Sequence, residues 1–148
     1  MTEFVEVKTS EMLGAALNWA TFCAIYTGMQ PTINVIESTS KSIFPGGRPV
    51  TFPRAVSLSY SGAYGVEHHW YPSSDWECGG PLFTRFNIDF TVERNDLIFA
   101  SVCDDAGMPV MQGEVNGAFA PNHLIAACRA IVASVLGETV SVPKELLS

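Results

Sequence analysis

Phe86-Asn87-Ile88-Asp89-Phe90-Thr91-Val92-Glu93-Arg94-Asn95-Asp96-Leu97-Ile98-Phe99-Ala100-Ser101-Val102 is the stretch that decides the fold class. Phe86, Ile88, Phe90 and Val92 alternate with polar neighbours, the two-residue period of a strand with one buried face. Arg94-Asn95-Asp96 carries turn chemistry, and Leu97 to Val102 is a second apolar run of strand length. Asp104-Asp105-Ala106-Gly107 turns the chain again and leads into Val110 to Val115. Three runs joined by short turns predict an antiparallel meander.

On the C-terminal side, Pro121 or Asn122 opens a helix that Leu124, Ile125, Cys128, Ile131, Val132, Val135 and Leu136 fill with apolar side chains. Gly137 suits its end, and Val140 to Val142 reads as a brief extended tail. At the other end, Thr2 to Lys8 alternates as a short strand. Thr9 and Ser10 offer N-cap oxygens, and Glu11 suits a first turn. Met12, Leu13, Ala16, Leu17, Ala20, Cys23 and Ala24 then form a helical stripe, with Trp19 expected in the core and Gly28 and Pro31 closing the segment. Gln30 to Pro53 reads as a long Pro/Gly/Ser-rich loop with short extended pieces, Ala55 to Ser61 as a strand, and Tyr64 to Pro81 as irregular. The order predicts an α+β fold: an antiparallel three- to four-stranded sheet with the N- and C-terminal helices packed on one face. The 148 residues form one domain, 1–148, carrying the insert at about 30–54.

Hydrophobic residues make up 47% of the chain and charged ones 16%, which excludes intrinsic disorder. So low a charge fraction suggests apolar surface covered by another subunit, hence a homo-oligomer. The net charge is −7, and Lys8, Lys41, Arg48, Arg54, Arg85, Arg94, Arg129 and Lys144 are scattered. Without a basic stripe, duplex nucleic acid is not an expected partner. The acidic opening Met1 to Glu6 lacks the features of an export signal, and no apolar run approaches the ~20 residues of a membrane span. A cytoplasmic protein with Cys23, Cys78, Cys103 and Cys128 as reduced thiols is the expectation.

Three stretches together carry a family resemblance. The first is Val7-Lys8-Thr9-Ser10-Glu11-Met12-Leu13-Gly14-Ala15-Ala16-Leu17-Asn18-Trp19-Ala20. The second is Tyr71-Pro72-Ser73-Ser74-Asp75-Trp76-Glu77-Cys78-Gly79-Gly80-Pro81-Leu82. The third is Leu124 to Arg129, followed by Val132-Ala133-Ser134 and Leu136-Gly137. They resemble the phage NinX-like family of small proteins of unknown function: its opening helix, its central Tyr-Ser-Pro-Ser-Thr-Asp-Trp-Ala-Gln-Gly-Gly-Pro signature with one position missing here, and its closing helix. Asn18 stands where that family usually has Asp, Asn122-His123 replaces a Thr-Pro helix start, and Gln30 to Tyr64 has no clear counterpart. The resemblance implies a shared fold and a phage origin, and no chemistry.

The candidate site lies between Tyr60 and Pro81. Tyr60, Tyr64, Trp70, Tyr71 and Trp76 gather there with His68 and His69. Flat rings with polar edges stack on planar ligands, at roughly 1–3 kcal/mol per base. Ser73, Ser74 and Asp75 suit sugar hydroxyls or base edges, Gly79 and Gly80 would let backbone N–H groups approach a phosphate, and Arg85 follows. Arg129, on the polar side of the closing helix, is either solvated, ion-paired or within reach of an anion. The ligand-binding set is therefore His69, Trp70, Tyr71, Ser73, Ser74, Asp75, Trp76, Gly79, Gly80, Arg85 and Arg129. The competing reading is a structural plug at the end of the sheet.

His68, His69, Cys78 and Asp75 make a weak metal set, because adjacent histidines on an extended chain point to opposite sides. Nothing in the sequence calls for a cofactor. Cys78 or Ser74 with His69 and Asp75 fits no recognised nucleophile spacing. The leading expectation is a non-enzymatic phage accessory protein that binds a small nucleotide-like ligand and sequesters a host anti-phage signal. The alternatives are a protein-interaction module inhibiting a host protein through the same loop, and a small hydrolase.

Overall fold

A computed structural model describes residues 3–110 and 117–147. Strand β1 (Phe4–Lys8) leads through a single 3-10 turn (Thr9–Glu11) into helix α1 (Gly14–Ile25). Four short strands follow, β2 (Thr32–Ile36), β3 (Thr39–Ser42), β4 (Pro49–Phe52) and β5 (Ala55–Ser61). Then come β6 (Glu67–His69), helix α2 (Trp76–Arg85), β7 (Ile88–Arg94), β8 (Leu97–Val102) and β9 (Ala118–Ala120). Helix α3 (His123–Leu136) and β10 (Thr139–Pro143) complete the order.

The fold is α+β, and every strand pair is antiparallel. Instead of one sheet, the strands of the described residues divide into four small ones: β1-β10, β2-β5-β6, β3-β4 and β7-β8-β9. The expected meander survives as β7-β8-β9, and α3 packs on β8 and β9. Its third strand is Ala118–Ala120; the run expected at Val110 to Val115 falls mostly outside the described residues.

Helix placement departs from two helices on one face. Helix α1 packs against α3, β5 and β10, so α3 is the middle layer, with the β7-β8-β9 sheet on one side and α1 on the other. The sequence of α1 allows this because it is apolar on all sides: every residue from Ala16 to Phe22 is buried, as is Ala24. Thr21 is accommodated there by donating its hydroxyl to the Leu17 carbonyl at 2.7 Å.

The expected Thr9/Ser10 cap is replaced by a different device. Thr9 lies in the 3-10 turn, is buried, and donates its hydroxyl to the Gly137 carbonyl at 2.7 Å, tying the start of α1 to the end of α3. Helix α3 starts as the sequence predicts, with the Asn122 side chain accepting from the Ile125 N–H at 2.9 Å. It ends at Gly137, whose φ of 96° favours glycine.

Candidate functional site

The stretch read as an irregular loop contains a helix. Asp75 is the N-cap of α2 and accepts from the Glu77 N–H at 3.0 Å, with Glu77 in the first turn where the helix dipole favours a carboxylate. Gly79-Gly80-Pro81 opposes helix on propensity, but packing overrides it. A Cβ at Gly79 would collide with the Pro72 carbonyl and the Leu124 side chain, so glycine lets α2 settle against the 71–74 turn and α3. Gly79 is therefore a helix-packing residue here, Gly80 is a helical position without a close neighbour, and the N–H groups of neither line an open loop.

One buried oxygen organises the turn before α2. Asn18 Oδ1 accepts from Ser73 N at 3.0 Å and from Ser73 Oγ at 2.7 Å. The Asn18 backbone carbonyl accepts from Trp70 Nε1 at 2.8 Å. Trp70 is 5% exposed and sits edge-on to Phe22 and Tyr60, with ring centroids 5.6 and 5.9 Å away. Ser73 and most of Trp70 thus belong to the core, as the plug reading expects.

Beside this brace the structure opens a cleft of about 600 Å³ between the end of α1, the β5-β6 edge and α2. From the predicted set it brings together His69, the edge of Trp70, Tyr71, Asp75 and Arg85. The His69 and Tyr71 rings lie nearly parallel, 12° apart with centroids at 5.8 Å, and Tyr71 Oη stands 3.4 Å from His69 Nδ1. Tyr60 and His68 form a second stack at 5.3 Å. The Arg85 guanidinium lies over the Tyr26 ring at 5.6 Å and the Phe86 ring at 5.8 Å.

Several residues of the set lie elsewhere. Trp76 is 60% exposed and packs edge-on to Phe83, outside the cleft. Ser74 is exposed in the turn, donating its N–H to the Tyr71 carbonyl. Arg129, at 7% exposure, donates from Nε to the Met12 carbonyl at 3.1 Å and from Nη1 to the Phe119 carbonyl at 2.8 Å. Burial lowers its pKa, and it is neither solvated nor paired with a carboxylate among the described residues. It staples the start of α1 to β9.

Sequence reading missed Tyr26, Glu67 and Glu77 as cleft residues. Tyr26 closes α1 far away in sequence, and only the packing of α1 on β5 brings it near. Burial raises the Tyr60 phenol, helped by Tyr26 and Cys78 nearby. Burial also raises the Cys78 thiol, against hydrogen bonding from the Tyr71 backbone and with the Asp75 and Glu77 carboxylates adding to the rise. Its Sγ points at the His69 carbonyl, 3.6 Å away, as a thiol donor would. Among the described residues no three His, Cys, Asp or Glu side chains are grouped to hold a metal ion. No helix among them is long and apolar enough to cross a membrane, and all four cysteines are free.

No curated protein matches the chain. The family model described as "Bacteriophage P22, NinX" matches residues 8–135, which spans α1, the Asn18–Ser73 brace, α2 and nearly all of α3. With the match covering most of its length, the chain belongs to the NinX family of phage proteins.

Proposed function

We propose that this protein binds a small nucleotide-like ligand in the cleft between β5-β6 and α2 and holds it without turnover, as a sink for a host anti-phage signal. The observation that carries the reading is the aromatic wall. Tyr26, Tyr60 and Tyr71 line the cleft with two histidines, and Arg85 stands among them. Rings supply stacking faces for a base, Tyr hydroxyls and Asp75 suit sugar and base edges, and a guanidinium suits a phosphate. Arg85 shares the cleft lining with Glu67, Asp75 and Glu77, so one chain alone fits a ligand with few negative charges.

Binding without chemistry is supported by the state of the nucleophile. A thiolate is the reactive form of cysteine, and burial and two neighbouring carboxylates raise the Cys78 thiol, which disfavours that form. The role as a sink is an analogy drawn from phage context, not from the cleft.

Thermal shift against nucleosides, nucleoside monophosphates and cyclic dinucleotides tests the reading. A ligand at 100 times its Kd adds about 2.7 kcal/mol, a shift of several degrees for a domain of this size. Arg85→Ala and Tyr71→Ala are expected to lose the shift while keeping the fold, and the ligand should be recovered unchanged after denaturation. No shift with any member would overturn the proposal. Recovery of a converted ligand would favour the hydrolase.

One observation favours a protein-interaction reading as second. Trp76 heads a surface row of edge-to-face rings, Trp76–Phe83–Phe90–His123, with successive centroids 5.6, 4.7 and 4.9 Å apart. An exposed Trp with supporting rings is the composition of an interface hot spot.

A further inference from the structure

Every residue from Ile36 to Pro53 is exposed, a run that contains β3 and β4. Among the described residues these two strands pair only with each other, and no other element packs substantially on the hairpin. It is tied internally by the Ser40 and Thr51 hydroxyls at 2.9 Å and by Ser42 Oγ, which donates to the Phe44 and Gly47 carbonyls at the tip. Its base is held by Arg54, which donates to the Glu145 carbonyl at 2.9 Å. A lone two-stranded hairpin is marginal in water, since ordering its backbone is offset by little burial. This one also leaves Ile43, Phe44, Val50 and Phe52 in solvent, with Phe44 at 73% exposure.

Charge indicates what covers it. From Ser38 to Pro53 the chain carries Lys41 and Arg48 and no acidic residue. Removing those two cations from the net charge of −7 leaves −9 on the rest of the chain. Part of that negative charge stands at the cleft, where Glu67 and Glu77 are exposed and Asp75 is close by, above tyrosine and histidine rings. The arm thus presents an aromatic tip between two cations, and the body presents an aromatic cleft edged by carboxylates. The eight residues from Glu37 to Phe44 extend about 26 Å at 3.3 Å each, beyond the ~15 Å radius of gyration of a chain this size.

We propose that the β3-β4 hairpin is an assembly arm, and that it docks in the acidic aromatic cleft of a second copy of this chain. Phe44 enters against the rings, and Lys41 and Arg48 meet Glu67 and Glu77. Phe44 and a stacked base would use the same rings, so the docked arm and the ligand proposed above compete for the cleft. The arm inference shares that cleft but not its ligand: it is measured on ligand-free protein, so either reading can fail alone.

Sedimentation velocity of the full chain tests it. The wild type is expected to self-associate and to dissociate toward monomer at about 1 M salt, where the screening length falls to about 3 Å. Phe44→Ser weakens association by about tenfold or more because the contact loses its aromatic anchor, and the double variant Lys41→Glu/Arg48→Glu does so because like charges then meet across the contact. Glu67→Lys/Glu77→Lys does the same from the other side. Mixing the two charge-reversed variants restores the complex, since each arm now faces a cleft of opposite sign. All five positions are exposed, and far-UV circular dichroism confirms that the variants fold. A wild type that stays monomeric at every concentration overturns the proposal. So does assembly indifferent to the arm charges, and so do reversed variants that fail to recombine.

Discussion

Replacing Asn18 by Ala removes one oxygen shared by two buried donors. Ser73 N and Ser73 Oγ would both lose their acceptor, and Ser73 is buried, so water does not readily take its place. Each buried donor left unsatisfied costs about 1–3 kcal/mol, which puts Asn18→Ala at about 2–6 kcal/mol. Ser73→Ala removes only the hydroxyl and leaves the backbone bond intact, at about 1 kcal/mol. Urea unfolding followed by tryptophan fluorescence reads both, because Trp70 bonds to the same residue of α1. With a slope near 2 kcal/mol/M, a loss of about 3 kcal/mol lowers the midpoint by about 1.5 M. Asn18→Asp keeps an oxygen acceptor for both donors and is expected to fold; Asn18→Leu is not. Equal costs for Ser73→Ala and Asn18→Ala, or an Asn18→Ala cost below about 0.5 kcal/mol, would show that the shared oxygen does not hold the turn.

Gly79→Ala should destabilise by about 1–3 kcal/mol, whereas Gly80→Ala, with open space at its Cβ, should be neutral or stabilising; equal effects in thermal melts would contradict the close approach of α2 to Pro72. Burial pushes Cys23 up to about 11 and Cys128 up to about 12, above the ordinary 9.0. A thiol whose folded pKa is raised keeps its proton in the folded state while the unfolded chain loses it, so the stability these two thiols contribute is constant below about pH 9 and is lost between pH 9 and about 12. Equilibrium unfolding across that window checks the sign. At neutral pH, iodoacetamide followed by peptide mass mapping should label half-buried Cys78 first and Cys128 only on unfolding.

The elements legible in the sequence are those whose side chains answer to one neighbour. Helix α3 shows its Asn122 cap, its apolar run and its terminal glycine, and β7-β8 shows period-two alternation with a polar turn. Helix α2 was hidden because Gly79, Gly80 and Pro81 argue against helix locally, and the contact that favours it is with Pro72 and Leu124. Strands β3 and β4 have no buried face, so no alternation marks them. Arg129 was misplaced by chemistry alone: its position shares a face with Ile125 and Val132, and only the free carbonyls of Met12 and Phe119 make a guanidinium tolerable there.

The same logic separates framework from specificity within the site. In the Tyr71 to Leu82 stretch, Ser73 bonds Asn18, Asp75 caps α2, Gly79 admits Pro72 and Leu82 is buried, so most of its residues fix the turn and the helix after it. What they fix is the position of Tyr71 at one wall of the cleft and Arg85 at another. The remaining wall comes from Tyr26, Tyr60, Glu67 and His68, on α1, β5 and β6, outside that stretch. The central stretch therefore fixes part of the cleft, while side chains at the end of the first helix and along the β5-β6 hairpin complete its lining. Exchanging Tyr26 and Tyr60 should change which ligand shifts the melting temperature without lowering the melting temperature of the free protein by more than the lost ring contacts with Phe22 explain.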